Sequence, residues 1–345
     1  MKQTTIATVE GYWSTNIGNA LFQITAFEIF SELGYNVIKV PDLPGYINPS
    51  KGNPKDYFEI MDHIECDYFC VHGPFFRKES DRILIPLLKR LTARGVKIIG
   101  LGVGAMHYDT KALKCYKEWL NEIDFHLIST RDEITYSFLK GFLPKKTFLL
   151  NGLDLGFFIS RYKPQPKLID NQKIICFNFD QIPEPYFNED QYGVISVNNS
   201  NFSYKKSFSG EPKGILKKIL PYYLPFIKTF SRKDLGGYTV VRTDHRFNPY
   251  FGKKIYSNPN SFGMDTPSGY LLLYANSKLT LSNRVHANVA TLSYGNKAMY
   301  FSNSKRASLL DRVNLGDIYN KPMKLNQTMI DKELEILKEF LRENL

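Results

Sequence analysis

The chain has 345 residues, 43% of them hydrophobic, and a net charge of +11 from 45 Lys and Arg against 34 Asp and Glu. That length suits two domains, no stretch reaches the roughly 20 uninterrupted apolar residues of a bilayer span, and the positive balance favours an anionic partner. Four scattered cysteines and six histidines form no disulfide framework, CxxC pair or HExxH spacing, so no metal site is expected.

Nucleic acid is not expected as a partner, because the chain has no zinc-finger spacing, RNP-like strand or arginine-rich tract. The N-terminal stretch has no apolar run of signal-peptide length, so a cytoplasmic protein is expected.

In chain order, residues 3–9 form a β-branched run that reads as a strand. A polar loop at 14–19 follows, then a helix whose apolar residues from Ala20 to Phe30 recur at helical spacing. Gly34 closes that helix and 36–40 is the next strand, which makes the opening a βαβ unit with a parallel sheet. The cycle repeats with strands at 68–71, 96–101, 125–129 and 147–150 and helices at 83–94, 111–123 and 133–140. The first domain, 1–159, is therefore expected to be doubly wound.

Residues 160–172 are polar, carry two prolines and lack periodicity, as an interdomain linker would. A second domain is expected over 173–325, with strands at 173–178, 238–242, 279–281 and 298–301 and helices at 268–276 and 285–293. A last helix at 329–342, within a terminal segment 326–345, is expected to fold back on the first domain. The fold class is thus α/β, with two Rossmann-like domains facing a cleft in a GT-B-like arrangement.

Two constellations can carry chemistry. Asn16, Gly18 and Asn19 lie in a polar loop between a strand and a helix N-terminus, where free N–H groups and the helix dipole favour an anion. The same residues also suit a plain turn at Gly18 and a cap at Asn19. Arg284 and His286 follow a buried strand and open a helix, the position where open α/β sheets bind ligands. An arginine fork suits a carboxylate or phosphate, and a histidine two residues on can act as acid or base near neutral pH. An ion-paired arginine and a backbone-bonded histidine are the structural alternative.

These residues resemble a family. Asn16-Ile17-Gly18-Asn19, Leu101-Gly102-Val103-Gly104, Ser129-Thr130-Arg131-Asp132-Glu133, Asn151-Gly152-Leu153-Asp154 and Arg284-Val285-His286-Ala287 occur in the order seen in polysaccharide pyruvyl transferases. The closing Tyr300 to Lys305 segment, with Leu309 and Leu310, also looks like that family. The resemblance covers about residues 5–316. It implies transfer of a pyruvyl group from phosphoenolpyruvate to two hydroxyls of a sugar, giving a cyclic ketal and phosphate, with no cofactor. It implies His286 and Arg284 as catalytic residues. Asn16, Gly18, Asn19, Gly102, Gly104, Arg131 and Asn283 become donor-binding candidates. A structural pairing of Arg131 with Asp132 or Glu133 is the alternative for that arginine.

Two departures from the family pattern stand out. Asn19 occupies a place where many members carry an aspartate, and an amide cannot serve as a base. The glycine-rich run after the third strand is replaced by Val71-His72-Gly73-Pro74-Phe75-Phe76-Arg77, whose bulk narrows the approach to a ligand. His72 and Arg77 could compensate or simply pack.

The expected acceptor is a sugar or lipid-linked glycan of a bacterial surface polysaccharide. Residues 200–235 hold eight basic and two acidic residues among aromatic and aliphatic ones, which suits docking on an anionic inner leaflet of the plasma membrane. Pro221 and Pro225 would break a long helix there. A basic loop beside a core helix is the alternative. The rival functions are a nucleotide-sugar glycosyltransferase on the same fold and a non-catalytic glycan-binding protein.

Overall fold

The computed structural model describes residues 3–10, 17–41, 63–77, 80, 84–107, 109–168, 173–179, 182, 184–188, 194–197, 200–205, 234–235, 237–245, 260–264, 266–302 and 307–345. The chain divides into two compact units. One comprises Met1–Tyr12, Asn19–Phe158 and Thr328–Leu345, the other Trp13–Gly18 and Ile159–Gln327.

In the first unit β1 (Thr5–Glu10), α1 (Ile17–Glu32), β2 (Asn36–Pro41), β3 (Tyr68–Phe76), α2 (Leu84–Ala93), β4 (Lys97–Ala105), α3 (Thr110–Glu122), β5 (Phe125–Thr130), α4 (Glu133–Lys140) and β6 (Phe148–Leu150) alternate along the chain. Among the described residues every strand pairing of this unit is parallel, in the order β2-β1-β3-β4-β5-β6. The central strand β4 is buried at every position after Lys97, as a parallel strand covered on both faces should be. Asp109 and Asp132 cap α3 and α4 by accepting from the N–H of Ala112 and Thr135, at 3.0 and 2.8 Å. Strand order reverses between β1 and β3, so the carboxyl ends of those two strands form the topological switch point where open sheets take ligands.

The second unit holds α5 (Ile159–Tyr162), β7 (Ile174–Asn178), β8 (Tyr186–Asn188), β9 (Val194–Val197), β10 (Ser200–Lys205), β11 (Asp234–Leu235), β12 (Tyr238–Thr243), β13 (Ser261–Phe262), α6 (Pro267–Asn276), β14 (Ser277–Ser282), α7 (Val285–Ser293), β15 (Lys297–Tyr300) and α8 (Ser308–Asp311). Its main sheet runs β11-β12-β7-β14-β15 and is parallel except for β11. Here the order reverses between β7 and β14. The final helix, α9 (Gln327–Asn344), buries Ile330, Leu334, Leu337 and Leu341 at helical spacing. From Thr328 onward it belongs to the first unit, where Lys338 Nζ bonds Glu32 at 2.8 Å and the Asn344 carbonyl lies 2.6 Å from His126 Nε2.

The structure departs from the sequence reading at several elements. Strands β3 and β4, expected to end at Val71 and Leu101, continue to Phe76 and Ala105. They pair through register shifts that pass over Gly102, and Gly73 and Gly102 take φ of +66° and +59° there. Strands β8, β9 and β10 form an unexpected three-stranded antiparallel sheet.

The expected linker is anchored over its first part. Ser160 Oγ donates to the Ser293 carbonyl at 2.7 Å, Tyr294 donates to the Lys163 carbonyl at 2.6 Å, and Leu168 N–H donates to Asn276 Oδ1 at 2.8 Å. These bonds, one from a side chain and two at the backbone, hold the first part of the segment on the second unit. Finally, the strand expected at 298–301 starts one residue earlier and ends at Tyr300. Of the basic segment at 200–235, residues 206–233 lie outside the described residues, as do Asn16 and the 303–305 part of the closing family segment.

Candidate functional site

At the switch point of the second unit, β14 is buried at five of its six positions and delivers the chain to Asn283. Asn283 is 2% exposed, and its N–H donates to the carbonyl of Asn178, the last residue of β7, at 3.1 Å. The hydroxyl of Ser282 accepts from the Arg284 N–H at 2.8 Å and lies 3.1 Å from Asn178 Oδ1. Asn288 Nδ2 donates to the Arg284 carbonyl at 3.2 Å. These bonds fix Arg284 in an extended conformation, φ −102° and ψ 122°, as the cap of α7.

The exposure pattern is sharp. Arg284, Val285 and His286 are half-buried, whereas Asn283 before them and Ala287 to Ser293 after them are buried. The part of this turn open to solvent is the one that carries the arginine and the histidine, at a helix N-terminus whose dipole also favours an anion.

Gly18 is grouped with this unit, and a Cβ there would lie 2.5 Å from Nδ1 of His286. Two of the motifs singled out in the sequence therefore meet: Gly18 is the residue whose missing side chain makes room for the His286 ring.

Other predicted donor residues have different surroundings. Gly102 is buried, and a Cβ on it would come within 2.8 Å of Leu155 Cγ. A Cβ on Gly104 would collide with the side chain of Arg131. Arg131 itself is 3% exposed, with Asp132 at 3.8 Å and Asp154 at 3.7 Å. Asp132 also accepts from Thr135 Oγ1, which in turn accepts from the Ala105 N–H at 3.0 Å. This network ties the end of β4 to the start of α4. It gives Gly104 a packing role beside Arg131, while Gly102 packs against Leu155.

Asn19 lines a different feature, a cavity of about 110 Å³ at the switch point of the first unit. It is shared with Gln23 and Phe22 of α1, His72 of β3, and Arg77 and Ser80 beyond it. Gln23 is 4% exposed, Ser80 Oγ is spent on the Phe75 carbonyl at 2.7 Å, and Arg77 is exposed. Burial pulls the His72 imidazole down to about 4, against a smaller upward effect of its bond to the Val9 backbone. It is therefore neutral at physiological pH.

Sequence reasoning passed over Asn178 and Gln23. The usable signal was the same for both: one amide in an otherwise apolar strand or helix face, next to a polar loop. Among the described residues no group of three His, Cys, Asp or Glu could hold a metal ion, and no helix is long and apolar enough to cross a membrane.

Comparison with known proteins places this architecture. No curated protein sequence matches the chain. Among solved structures, an S. aureus MnaA–UDP complex is similar at TM-score 0.52 and 11% identity, covering 98% of this chain and 88% of that one. The Neisseria meningitidis UDP-GlcNAc 2-epimerase bound to UDP-GlcNAc is similar at TM-score 0.51 and 10% identity, covering 99% and 100%. At such identities the likeness concerns the fold, which is of GT-B type with two Rossmann-like domains. The polysaccharide pyruvyl transferase family model matches residues 16–305, and with that match over most of its length the chain belongs to the polysaccharide pyruvyl transferase family.

Proposed function

We propose that this protein transfers a pyruvyl group from phosphoenolpyruvate to two hydroxyls of a sugar in a bacterial surface polysaccharide or its lipid-linked precursor. The carrying observation is the confinement of exposure to Arg284, Val285 and His286 at the end of β14, in a chain of this family. The donor bears a carboxylate and a phosphate, and a guanidinium beside a helix N-terminus suits either one.

In the reaction the methylene carbon of phosphoenolpyruvate gains a proton, and one sugar hydroxyl adds to the neighbouring carbon and loses its proton. The second hydroxyl then displaces phosphate. Atoms balance as donor plus diol giving ketal plus inorganic phosphate. His286 is the acid–base group of this turn, and Arg284 balances the charge of the departing phosphate.

The test is incubation of the purified full chain with phosphoenolpyruvate and defined glycan acceptors, followed by mass spectrometry and phosphate assay. The proposal expects a product heavier by pyruvate less water, with one phosphate released per product, and loss of both in Arg284→Ala and His286→Ala. Product formation from a nucleotide sugar with release of the nucleotide would replace pyruvyl transfer by glycosyl transfer.

A further inference from the structure

The cavity of the first unit has a chemistry distinct from that of the Arg284 turn. Its wall includes His72, whose Nε2 is covered from water and has no hydrogen-bond partner among the described residues. The ring bonds the Val9 backbone, and with Nε2 unpartnered that bond falls to Nδ1. Donation from Nδ1–H to a carbonyl fixes the neutral tautomer with a lone pair on Nε2. Such a buried acceptor is costly until a donor reaches it.

The rest of the wall decides what donor would fit. Asn19 and Gln23 supply uncharged amides, Phe22, Pro74 and Phe75 supply apolar surface, and Arg77 supplies an exposed guanidinium. The ring of Phe22 lies 6.4 Å from that of His72 between centroids, tilted by 48°. Gly73 makes this pairing possible: its φ of +66° turns the strand, and a Cβ on it would come within 2.5 Å of the Phe22 ring. A carboxylate brings only acceptors to Nε2 and would oppose its lone pair, and inorganic phosphate, though it keeps an O–H, has no C–H face for the aromatic wall. A sugar brings O–H donors together with C–H faces that pack on aromatic rings. A volume of about 110 Å³ holds one small ring or a part of a pyranose, not a disaccharide.

We propose that this cavity is a sugar-binding subsite in which the neutral Nε2 of His72 accepts a hydrogen bond from one hydroxyl of a pyranose, with Asn19 and Gln23 as amide partners and the aromatic wall against its C–H face. That a pyranose binds here stands on the cavity alone; that this pyranose is the acceptor of the transfer rests on the proposed function above.

The experiment is a titration of the full chain, labelled with 15N-histidine, with methyl glucoside, methyl galactoside, methyl mannoside and, separately, inorganic phosphate. A saturable movement of the His72 Nε2 resonance with at least one pyranoside, and none with phosphate, is expected. Two variants divide the ring: His72→Asn keeps an amide near the Nδ1 position, and His72→Gln places one near Nε2. Affinity for that pyranoside, read by ligand-observed NMR, should fall about tenfold or more in His72→Asn and less in His72→Gln.

Movement with phosphate alone, or no saturable movement with any pyranoside, overturns the proposal without recourse to a variant. Arg284→Ala should leave the pyranoside response unchanged, so failure of the donor assignment and failure of this subsite are read separately.

Discussion

The two units are built on the same parallel-sheet logic and present opposite chemistry at their switch points. In the second unit the strand end carries Arg284 and His286 at the cap of α7, half-buried, with the guanidinium as its charge. In the first unit the strand end carries a neutral, half-buried His72 whose Nε2 is covered from water, among amides and aromatic rings, with Arg77 exposed. Topology selects where a ligand binds, and the few residues after the strand select what kind. The two proposals assign an anion to one switch point and an uncharged hydroxyl to the other.

The largest effect that could break this contrast is expected at Arg284. Arg284→Ala should cut transfer by about a hundredfold, the loss that accompanies removal of one charge-stabilising donor, with little change in melting temperature because the side chain is half-buried.

The contrast can be sharpened next by pH. The native imidazole of His72 titrates at about 4 against an ordinary 6.5, so the stabilisation it gives is complete above the unfolded value. It is lost as pH falls from about 6.5 towards about 4, where the unfolded chain takes up a proton that the native chain refuses. The loss is of order 3 kcal/mol at most. Denaturant melts at pH 7 and pH 4.5 should show a steeper decline in the wild type than in His72→Gln.

A smaller effect is expected in the buried network of the first unit. Gly104→Ala places a methyl against Arg131 and should cost about 1–3 kcal/mol of stability, as overpacking does, without altering affinity for phosphoenolpyruvate. Equal loss of affinity would return Gly104 and Arg131 to the donor site.

The smallest expected change, and the most selective, is at Gly18. An alanine there is a better helix former by up to about 1 kcal/mol, yet its methyl would displace the His286 ring. Activity should fall about tenfold while the melting temperature holds or rises.

Much of this was legible in the sequence because it was local. Helix α7 runs from Val285 to Ser293 as its apolar pattern predicts, and Asp132 opens α4 through a cap visible in the Arg131-Asp132-Glu133 segment. What escaped depends on partners distant in the chain. Burial of Arg131 is decided by Asp154 and by Gly104, whose missing side chain accommodates it. Likewise, His72-Gly73-Pro74 reads as a loop because glycine and proline usually end strands. The neighbouring β4 carries its own irregularity at Gly102, and the two distorted strands stay paired to Phe76 and Ala105. The strand end that shapes the cavity was thus hidden by the residues that shape it. Strands β8 and β9, at three and four residues, are too short to show clear alternation, and the Phe202 and Tyr204 alternation of β10 falls within the segment whose basic charge dominates its reading.

The central claim, that the Arg284 turn holds the donor, is tested most directly by thermal shift of the full chain with phosphoenolpyruvate and with UDP-GlcNAc, in wild type and in Arg284→Ala. A ligand that binds the native state raises its melting temperature. The account predicts a rise with phosphoenolpyruvate that disappears in Arg284→Ala. A rise with UDP-GlcNAc alone, or an undiminished phosphoenolpyruvate response in the variant, would contradict it.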